Sequence, residues 1–329
     1  MVTTVAVILA GGTGTRLYPA SRADRPKQFL AFGGDRPLLE RAADRASVAD
    51  ETVVVTREAY ADRVAAHVPD AAVLVEPEPK NTGPALAYAA HRVAETVADP
   101  VMVALPSDHV IGDGFAATAR RAVDAAAETD GLVTIGVEPT RPATEYGYVQ
   151  ADFAADGYAP VVQFREKPDE ATAREFVAAG YRWNAGIFAW RPSAFLEAAA
   201  DSPLAPLVDA LRAGDPAAGF AAVDDLSVDH AVLEGAGDVF VVPADFAWDD
   251  LGSWDALARL LEGDNAVLGD ALAIDAADNV IASDDTHVSV VGVDDVVVAA
   301  FDDRVLVVPK DDAQRVREVV ERLRQVDDF

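Results

Sequence analysis

Near the start of the chain, glycines and basic residues stand close together, and both residue types bind phosphate. Gly11, Gly12 and Gly14 directly follow the apolar segment Val5–Leu9. Because glycine has no Cβ, the backbone N–H groups of such a loop can approach an anion closely. This arrangement predicts a phosphate-binding loop that follows a strand. The basic residues that come after the loop, and that add mobile positive charge to it, are Arg16, Arg22, Arg25 and Lys27.

The rest of the chain is strongly acidic, which makes this basic cluster unusual. The 329 residues include 56 Asp and Glu against 27 Lys and Arg, for a formal net charge of -29. Such a chain repels nucleic acid and anionic membrane surfaces, so neither is an expected partner. The composition resembles that of proteins from salt-accumulating halophiles, in which molar salt shortens the Debye length to about 3 Å. Because lysine is scarce, each one is a candidate for a specific role: Lys27, Lys80, Lys167 and Lys310.

Other residue types exclude several classes of function. The absence of cysteine excludes disulfides, thiolate metal sites and cysteine nucleophiles. The five histidines show no metal-ligand spacing, so a zinc enzyme is not expected. No basic segment precedes a short apolar run at the N-terminus, and no stretch reaches the roughly 18 apolar residues of a membrane span. We therefore expect a soluble, cytoplasmic protein.

Apolar runs alternate with segments of helical length along the first part of the chain. This alternation predicts an α/β fold, with a Rossmann-like, mostly parallel sheet flanked by helices. Ligands of such sheets bind at the carboxyl ends of the strands, where both the glycine loop and Pro106–His109 are expected. The predicted strands are Val5–Leu9, Thr52–Thr56, Ala72–Val75, Val101–Leu105 and Leu132–Val137, and the predicted helices are Leu38–Ser47, Ala59–His67, Pro84–Ala98 and Phe115–Thr129.

Short β-like segments dominate the chain after about residue 262. Their regular spacing predicts a small C-terminal domain, either a β-solenoid or a β-sandwich, so the expected domains are 1–262 and 263–329. The chain ends with a predicted packing helix, Asp312–Gln325, with Asp311 as its N-cap and an apolar stripe of Val316, Val319, Val320 and Leu323. The β segments are Val267–Ile274, Asn279–Ala282, His287–Val293, Val296–Phe301 and Arg304–Val308.

The glycine loop fits neither of two common phosphate-binding motifs. Leu17 stands where a dinucleotide fingerprint has its third glycine, and no Gly-Lys-Ser/Thr follows as in a Walker A loop. The segment Leu9–Phe29 instead resembles the signature of sugar-nucleotide pyrophosphorylases, and its ending Pro26–Phe29 is similar to the mannose-1-phosphate guanylyltransferase branch. Seven further segments resemble that family in the same order: Glu76–Ala85, Pro106–His109, Glu145–Val149, Phe164–Pro168, Trp183–Phe188, Ser227–Glu234 and Phe246–Trp254.

This resemblance implies a reaction in which GTP and α-D-mannose 1-phosphate give GDP-mannose and pyrophosphate by Mg²⁺-assisted, in-line nucleotidyl transfer. It implies catalytic roles for Arg16, Lys27 and Lys167. In this interpretation Arg16 and the loop hold the departing pyrophosphate, while Lys27 stabilises the α-phosphate. The nucleotide-binding residues that it implies are Leu9, Ala10, Gly11, Gly12, Thr13, Gly14, Thr15, Arg16, Lys27, Glu76, Asn81, Thr82 and Asp108.

The resemblance also implies the metal ligands. Asp108 and Asp250 would bind Mg²⁺, which suits two carboxylates because the ion keeps several waters and takes other ligands from phosphate. Asp249 competes with Asp250 for the second position. Aspartate pairs are so frequent in this chain that most are solvated turns, but Asp249 and Asp250 lie in a segment with two tryptophans, Trp248–Trp254.

The same resemblance implies which residues bind the sugar phosphate. Lys167 would hold the phosphate, Glu166 would accept from sugar hydroxyls, and Gly147 would allow close backbone approach. Asn184 carries an amide that can both donate to and accept from a hydroxyl. The family more often has serine at the position of Ala185, which leaves the contacts of that loop open.

Several alternatives remain open from the sequence. Asn81 and Thr82 fit a base-binding role and equally a helix start, with Thr82 as the cap and Pro84 in the first turn. A related enzyme would use UTP, dTTP or glucose 1-phosphate, against which Gln28-Phe29 speaks. A nucleotide-sugar binding or regulatory module would be expected to lose Lys27, Asp108 or Asp250. A second, isomerase activity would need an added metal-binding β-barrel, and the roughly 75 residues with one histidine that follow Trp254 are too few for one. The sequence also leaves a homodimer open.

Overall fold

The computed structural model describes residues 2–32, 34–153, 157–261, 263–326 and 329. Its α-helices are α1 Leu38–Ala46, α2 Ala61–His67, α3 Thr82–Thr96, α4 Phe115–Thr129, α5 Glu170–Ala178, α6 Pro192–Ala200, α7 Ala205–Arg212, α8 Pro216–Ala221, α9 Trp254–Leu260 and α10 Val316–Arg324. Its strands are β1 Thr3–Leu9, β2 Glu51–Thr56, β3 Ala72–Val75, β4 Pro100–Pro106, β5 Val110–Ile111, β6 Leu132–Val137, β7 Tyr148–Ala151, β8 Ala159–Arg165, β9 Arg182–Trp190, β10 Val239–Pro243, β11 Trp248–Asp249, β12 Ala266–Leu268, β13 Ala271–Ile274, β14 Val280–Ser283, β15 Val288–Val291, β16 Val296–Phe301 and β17 Arg304–Pro309.

The described residues group into two compact units. The first contains the residues up to Gly11 together with Ala42–Ser107 and Ile111–Trp248. The second contains Gly12–Arg41, Asp108–Val110 and Asp249–Phe329. The glycine-rich segment therefore belongs with the C-terminal part of the chain. The predicted domain boundary at residue 262 lies outside the described residues and stays a prediction.

The first unit is built on a nine-stranded sheet of order β3-β2-β1-β4-β9-β6-β10-β8-β7. Parallel pairs join β1 to β2 and β4, β2 to β3, and β6 to β10. Because β9 is antiparallel to β4 and β6, and β8 is antiparallel to β10 and β7, these two strands run against the others. Seven of the nine strands thus share one direction, in a sheet that mixes parallel and antiparallel pairs, and the predicted α/β fold class is confirmed.

Strand β1 is buried on both faces of this sheet. Val5, Ala6, Val7 and Ile8 are all fully buried, although successive side chains of a strand point to opposite faces. Continuous apolar strands of this kind are typical of sheets packed on both sides. The predicted strands and helices of this part of the chain are all present, with bounds that differ by at most two residues.

The C-terminal strands of the second unit form a solenoid. β12, β14 and β16 pair in parallel, β13 pairs in parallel with β15, and β17 closes the larger sheet in the antiparallel direction. Asn279 links successive turns, because its Nδ2 donates to Asn265 Oδ1 at 2.9 Å and to the Val293 carbonyl at 2.9 Å. This pairing confirms the β-solenoid alternative over the sandwich.

The end of the chain differs from its predicted form. A 3₁₀ helix, Lys310–Arg315, precedes α10, so the backbone is already helical at Asp311 and the prediction of an Asp311 N-cap is wrong. Val316 and Val320 are buried, but Val319 is 38% exposed and does not belong to the apolar stripe. Every helix in the described part of the chain is too short or too polar to cross a membrane.

Candidate active site

The carboxyl ends of neighbouring strands meet at the predicted ligand edge of the first unit. Leu9, the last residue of β1, is in register with Pro106 of β4. The backbone N–H of Ser107 donates to the Leu9 carbonyl at 3.0 Å, and the Thr56 hydroxyl donates to the Ala10 carbonyl at 3.0 Å. The chain thus leaves β1, β2 and β4 along one edge. This confirms the prediction that the glycine loop and Pro106–His109 both start at the carboxyl ends of strands.

A buried carboxyl group, that of Glu76, lies at this edge. Glu76 follows β3, its side chain is buried, and its Oε2 has no hydrogen-bond partner among the described residues. Its Oε1 lies 2.6 Å from where a Cβ on Gly11 would stand. Burial raises the pKa of Glu76 to about 7, although the nearby Arg57 guanidinium opposes the rise. The structure therefore holds a spare acceptor oxygen beside the start of the glycine loop.

In the second unit, the glycine loop closes tightly on Lys27. Gly14 has φ of 68°, a left-handed conformation that favours glycine, and it caps the short 3₁₀ helix Thr15–Leu17. A Cβ on Gly14 would also collide with the Cβ of Lys27 and lie 3.0 Å from its Cδ. Only glycine at this position lets the loop pack on the stem of the lysine.

Lys27 is a buried cation with two fixed acceptors. Its side chain is 4% exposed, and its Nζ donates to Asp108 Oδ2 at 2.9 Å and to the Asp250 carbonyl at 2.6 Å. Burial alone would raise the pKa of Asp108, but the Lys27 ammonium, with help from His109, holds it below its usual range. The structure thus brings Lys27, Asp108 and Asp250 together, as the assignment of a shared role requires.

The two adjacent aspartates have different surroundings. Asp249 Oδ1 accepts from the Leu251 N–H at 2.8 Å, and its Oδ2 accepts from Arg259 Nε at 2.8 Å. Asp250 Oδ1 accepts from the Gly252 N–H at 2.9 Å, while its carbonyl binds Lys27. Asp249 therefore ties this segment to α9. The carbonyl of Asp250, by contrast, lies against the Lys27 ammonium.

The backbone directly after Asp250 is strained. Leu251 is fully buried with φ of 47°, a conformation in which a branched side chain is rarely found. Strain of this kind tends to persist where the surrounding structure fixes a functional geometry. It supports a functional role for the segment that carries Asp250.

Arg16 is held by the C-terminal 3₁₀ helix. Its Nη1 donates to Gln314 Oε1 at 3.4 Å, and Gln314 Nε2 donates to Ser253 Oγ at 2.7 Å. Ser253 follows the Asp249-Asp250 pair by a few residues. A chain of polar contacts thus connects the glycine loop to the segment that contains the aspartates.

Arg22, Arg25 and the buried Lys27 do not supply mobile charge, and that prediction is wrong for all three. Both guanidinium groups pair with the Asp302 carboxylate, Arg25 at 2.9 Å. Arg25 also lies over the Phe301 ring, 5.3 Å from its centroid. Asp302 lies in the turn between β16 and β17, so these two arginines fasten the signature segment to the solenoid.

A second cluster, in the first unit, contains the predicted sugar-phosphate residues. The Asn184 N–H donates to the Gly147 carbonyl at 2.8 Å, and the Lys167 N–H donates to the Tyr146 carbonyl at 3.2 Å. Lys167 Nζ lies 2.7 Å from Glu166 Oε1, and Lys167 has φ of 45°. The structure therefore brings Gly147, Glu166, Lys167 and Asn184 together, with the Glu166 side chain buried and that of Lys167 56% exposed.

Asp229 also belongs to this cluster, although sequence reasoning missed it. Its Oδ1 accepts from Asn184 Nδ2 at 2.6 Å. Burial, followed by the charge of Glu166, raises the pKa of Asp229 to about 6. Asp229 starts the π-helical turn Asp229–Leu233, a form that is frequent at functional sites. Its segment, Ser227–Glu234, had shown the family resemblance, but no local pattern distinguished this aspartate from the many others.

The predicted base-binding residues Asn81 and Thr82 form a helix start. α3 begins at Thr82, and Asn81 Oδ1 accepts from the Thr82 N–H at 2.9 Å, so the cap is Asn81 rather than Thr82. Asn81 Nδ2 donates to Asp225 at 2.9 Å, and Thr82 Oγ1 accepts from the Val228 N–H at 3.0 Å. These contacts confirm the helix-start alternative, and the base-binding role of the two residues stays a prediction.

Lys80 shows that scarcity alone does not identify a functional lysine. Its Nζ donates to the carbonyls of Phe220 and Val223 at 2.7 and 2.8 Å, at the end of α8. A cation there satisfies carbonyl groups that a helix end leaves unpaired. Its role in this structure is to hold that helix end.

Family models match both parts of the chain. Residues 5–267 match the nucleotidyl transferase family, and residues 269–323 match a MannoseP isomerase/GMP-like beta-helix domain. The chain belongs to the nucleotidyl transferase family and is an enzyme, a nucleotidyltransferase. The second match agrees with the solenoid of β12 to β17.

Relatives of the chain extend over nearly its whole length. A xanthan biosynthesis protein, XanB, from Xanthomonas campestris is 40% identical over 97% of this chain and 73% of its own length. A mannose-1-phosphate guanylyltransferase from Escherichia coli is 35% identical over 97% of this chain and 74% of its own length. A crystal structure from Thermus thermophilus, described as a mannose-1-phosphate geranyltransferase, has a TM-score of 0.91 and 36% identity, and covers 98% of this chain and 99% of that one.

Proposed function

We propose that this nucleotidyltransferase is a mannose-1-phosphate guanylyltransferase, which converts GTP and α-D-mannose 1-phosphate into GDP-mannose and pyrophosphate. The observation that carries the proposal is Lys27, a buried ammonium fixed between Asp108 and the Asp250 carbonyl inside the signature segment. A fixed positive charge of this kind suits a reaction in which charge develops on a phosphoryl group. The names of several relatives support the choice of substrates.

The reaction needs alignment and charge neutralisation more than covalent chemistry. A phosphate oxygen of mannose 1-phosphate is already a nucleophile at neutral pH. It attacks the α-phosphorus of GTP, the bond from that phosphorus to the bridging oxygen breaks, and the electron pair leaves with pyrophosphate. Lys27 stabilises the charge on the α-phosphate, Arg16 and the N–H groups of the glycine loop hold the pyrophosphate, and Lys167 holds the incoming sugar phosphate.

Asp108 and Asp250 are the residues that would hold a divalent metal ion, which enzymes of this family generally use and which we propose is Mg²⁺. Within the described ranges, no group of three or more His, Asp or Glu side chains is arranged to hold a metal. Two carboxylates nevertheless fit Mg²⁺, because this ion is usually bound by one or two carboxylates plus waters and substrate phosphates. When bound, the ion supplies positive charge to phosphate oxygens.

Glu76 is the best candidate for reading the base. Guanine presents two adjacent donors, its N1–H and its exocyclic amino group, and a carboxylate offers two acceptor oxygens. The unpartnered Oε2 of Glu76 supplies such an acceptor. Uracil and thymine present a single ring N–H between two carbonyls, so a carboxylate at this position favours GTP over UTP and dTTP.

A substrate matrix tests the proposal. Each of GTP, ATP, UTP and dTTP is incubated with mannose 1-phosphate or glucose 1-phosphate, in Mg²⁺ and molar KCl, and pyrophosphate release is followed. We expect the highest kcat/KM with GTP and mannose 1-phosphate. Preference for another pair overturns the substrate assignment within the same reaction class. No release from any pair, by folded protein, contradicts turnover and favours a binding module.

A further inference from the structure

Three of the four hydrogen-bonding positions of the Asn184 amide are used within the protein. Its Oδ1 accepts from the Thr134 hydroxyl at 2.6 Å and from the Gly186 N–H at 3.2 Å. Its Nδ2 donates one hydrogen to Asp229 Oδ1 at 2.6 Å. An amide oxygen has two lone pairs and an amide nitrogen has two hydrogens. Among the residues that the structure describes, none accepts from the second N–H of Asn184, which therefore stays available to a ligand.

Two of these neighbours decide which way the amide faces. The backbone N–H of Gly186 can only donate, so the atom facing it is the amide oxygen. The Asp229 carboxylate can only accept, so the atom facing it is the amide nitrogen. Thr134 fits either orientation, because a hydroxyl both donates and accepts. Gly186 and Asp229 together fix the orientation that side-chain amides otherwise leave ambiguous.

We propose that Asp229 is a positioning residue of the sugar-phosphate site, and that it makes Asn184 a donor of one hydrogen bond to an oxygen of the sugar phosphate. This inference rests on the proposed function, which assigns that site to Asn184, Glu166 and Lys167. It revises the expectation that Asn184 both donates and accepts. Glu166 then supplies the acceptor oxygens of the site.

The surroundings of Asp229 also indicate that it is not ordinary packing. Asp229 is partly buried beside the Glu166 carboxylate, whose side chain is 6% exposed, and the opposing charge comes from Lys167, whose side chain is half exposed. Burying two carboxylates near one another is unfavourable, which is why the pKa of Asp229 rises. A partly buried acid with a raised pKa, hydrogen-bonded to Asn184, is a functional-site candidate with a physical rationale.

The test separates Asp229→Ala, which removes the acceptor, from Asp229→Asn, which keeps a carbonyl oxygen that can take its place. We expect Asp229→Ala to raise the KM for mannose 1-phosphate about tenfold or more, the size of one lost hydrogen bond to a charged group. The kcat and the KM for GTP stay within about threefold of wild type. Asp229→Asn restores the KM to within about threefold. Asp209→Ala, which removes an exposed carboxylate of α7, is the control and leaves all three constants unchanged.

A double-mutant cycle shows whether Asp229 acts through Asn184. If it does, adding Asp229→Ala to Asn184→Ala produces no further rise in KM, because the positioned group is already gone. Multiplicative losses in the double variant, or an unchanged KM in Asp229→Ala, overturn the inference. Thermal unfolding is measured on each variant, and a lowered melting temperature without a change in KM also counts against it.

A binding measurement distinguishes this inference from the proposed function. Wild-type enzyme that releases no pyrophosphate contradicts the proposed function. In that case mannose 1-phosphate is titrated calorimetrically into wild type and Asp229→Ala. Weaker binding by the variant supports the inference, while equal affinity, or no binding by either protein, overturns it.

Discussion

Two lysines of this chain stand in similar short motifs and in very different surroundings. Lys27, in Pro26–Phe29, is 4% exposed, and both the Asp108 carboxylate and the Asp250 carbonyl accept from it. Lys167, which precedes Pro168, is 56% exposed and pairs with Glu166. The first side chain is fixed before any ligand arrives, whereas the second keeps the freedom to reach one.

This difference predicts different kinetic roles. A preorganised charge does not need to reorganise during the reaction, so it stabilises the transition state most effectively. An exposed lysine loses side-chain entropy when it binds a phosphate, and its contribution is made to the bound substrate and the transition state alike. We therefore expect Lys27 to govern kcat and Lys167 to govern the KM for mannose 1-phosphate.

The largest effect is expected from Lys27→Met. Removing a fixed charge beside the reacting phosphate lowers kcat by at least about a hundredfold, measured as pyrophosphate release at saturating substrates. Lys310→Met is a matched control, because Lys310 contacts the Asp278 carbonyl and Asp295 in the solenoid. Near-normal turnover by Lys27→Met would show that Lys27 does not stabilise the reacting phosphate.

A smaller, differently distributed effect is expected from Lys167→Met. We predict a rise in the KM for mannose 1-phosphate of about tenfold to a hundredfold, with the KM for GTP unchanged. Initial rates with each substrate varied in turn give both constants. An equal rise in both KM values would show that Lys167 does not act on the sugar phosphate.

Asp249 and Asp250 extend the comparison to acidic residues. Asp249 is paired with Arg259 and the Leu251 N–H, so Asp249→Asn is expected to lower the melting temperature and to leave the Mg²⁺ requirement unchanged. Asp250→Asn is expected to raise the Mg²⁺ concentration for half-maximal activity about tenfold. Titration of activity with Mg²⁺, together with thermal unfolding, measures both. The reverse pattern would assign the metal to Asp249.

Glu76 differs from Lys27 and Asp249, because one oxygen of its buried carboxyl group has no hydrogen-bond partner in the described part of the chain. Its pKa of about 7 predicts that the KM for GTP falls as the pH rises from about 6 to about 8, because only the carboxylate accepts both guanine donors. Glu76→Gln is expected to remove this pH dependence and to weaken the preference for GTP. Profiles of equal slope in the two proteins would exclude Glu76 as the base-reading group.

The stability of Glu76→Gln provides an independent check. Because folding raises the pKa of this acid from 4.5 to about 7, the folded state is most favoured below about pH 4.5 and loses stability as the pH rises through about 7. The variant is therefore expected to be more stable than wild type at about pH 8, by on the order of 1 to 3 kcal/mol. Equal unfolding free energies of the two proteins at that pH would show that ionising the Glu76 carboxyl group does not destabilise the folded state.

Much of this fold follows from local patterns in the sequence. Apolar runs such as Val101–Leu105 marked strands because a strand buried on both faces needs a continuous apolar sequence. Gly14 was recognisable because a tight turn with a left-handed residue favours glycine, and Lys27 because lysine is scarce in this acidic chain. These constraints act over a few residues, so a single sequence displays them.

Other features depend on contacts between distant parts of the chain. The pairing of Arg22 and Arg25 with Asp302 joins residues 277 or more positions apart, and nothing near the arginines indicates it. Asp229 is one of 56 acidic residues, and its role appears only when the fold places it against Asn184. The Asp311 cap was wrong because the backbone turns helical one residue earlier, at Lys310.

The different roles of the two lysines are tested by comparing Lys27→Met and Lys167→Met in one assay, with GTP and mannose 1-phosphate both saturating. We expect Lys167→Met to release pyrophosphate within about tenfold of the wild-type rate, and Lys27→Met to stay at least about a hundredfold slower. Equal losses in the two variants, or a slower Lys167→Met, would contradict the distinction between a fixed charge at the reacting phosphate and a mobile charge that holds the sugar phosphate.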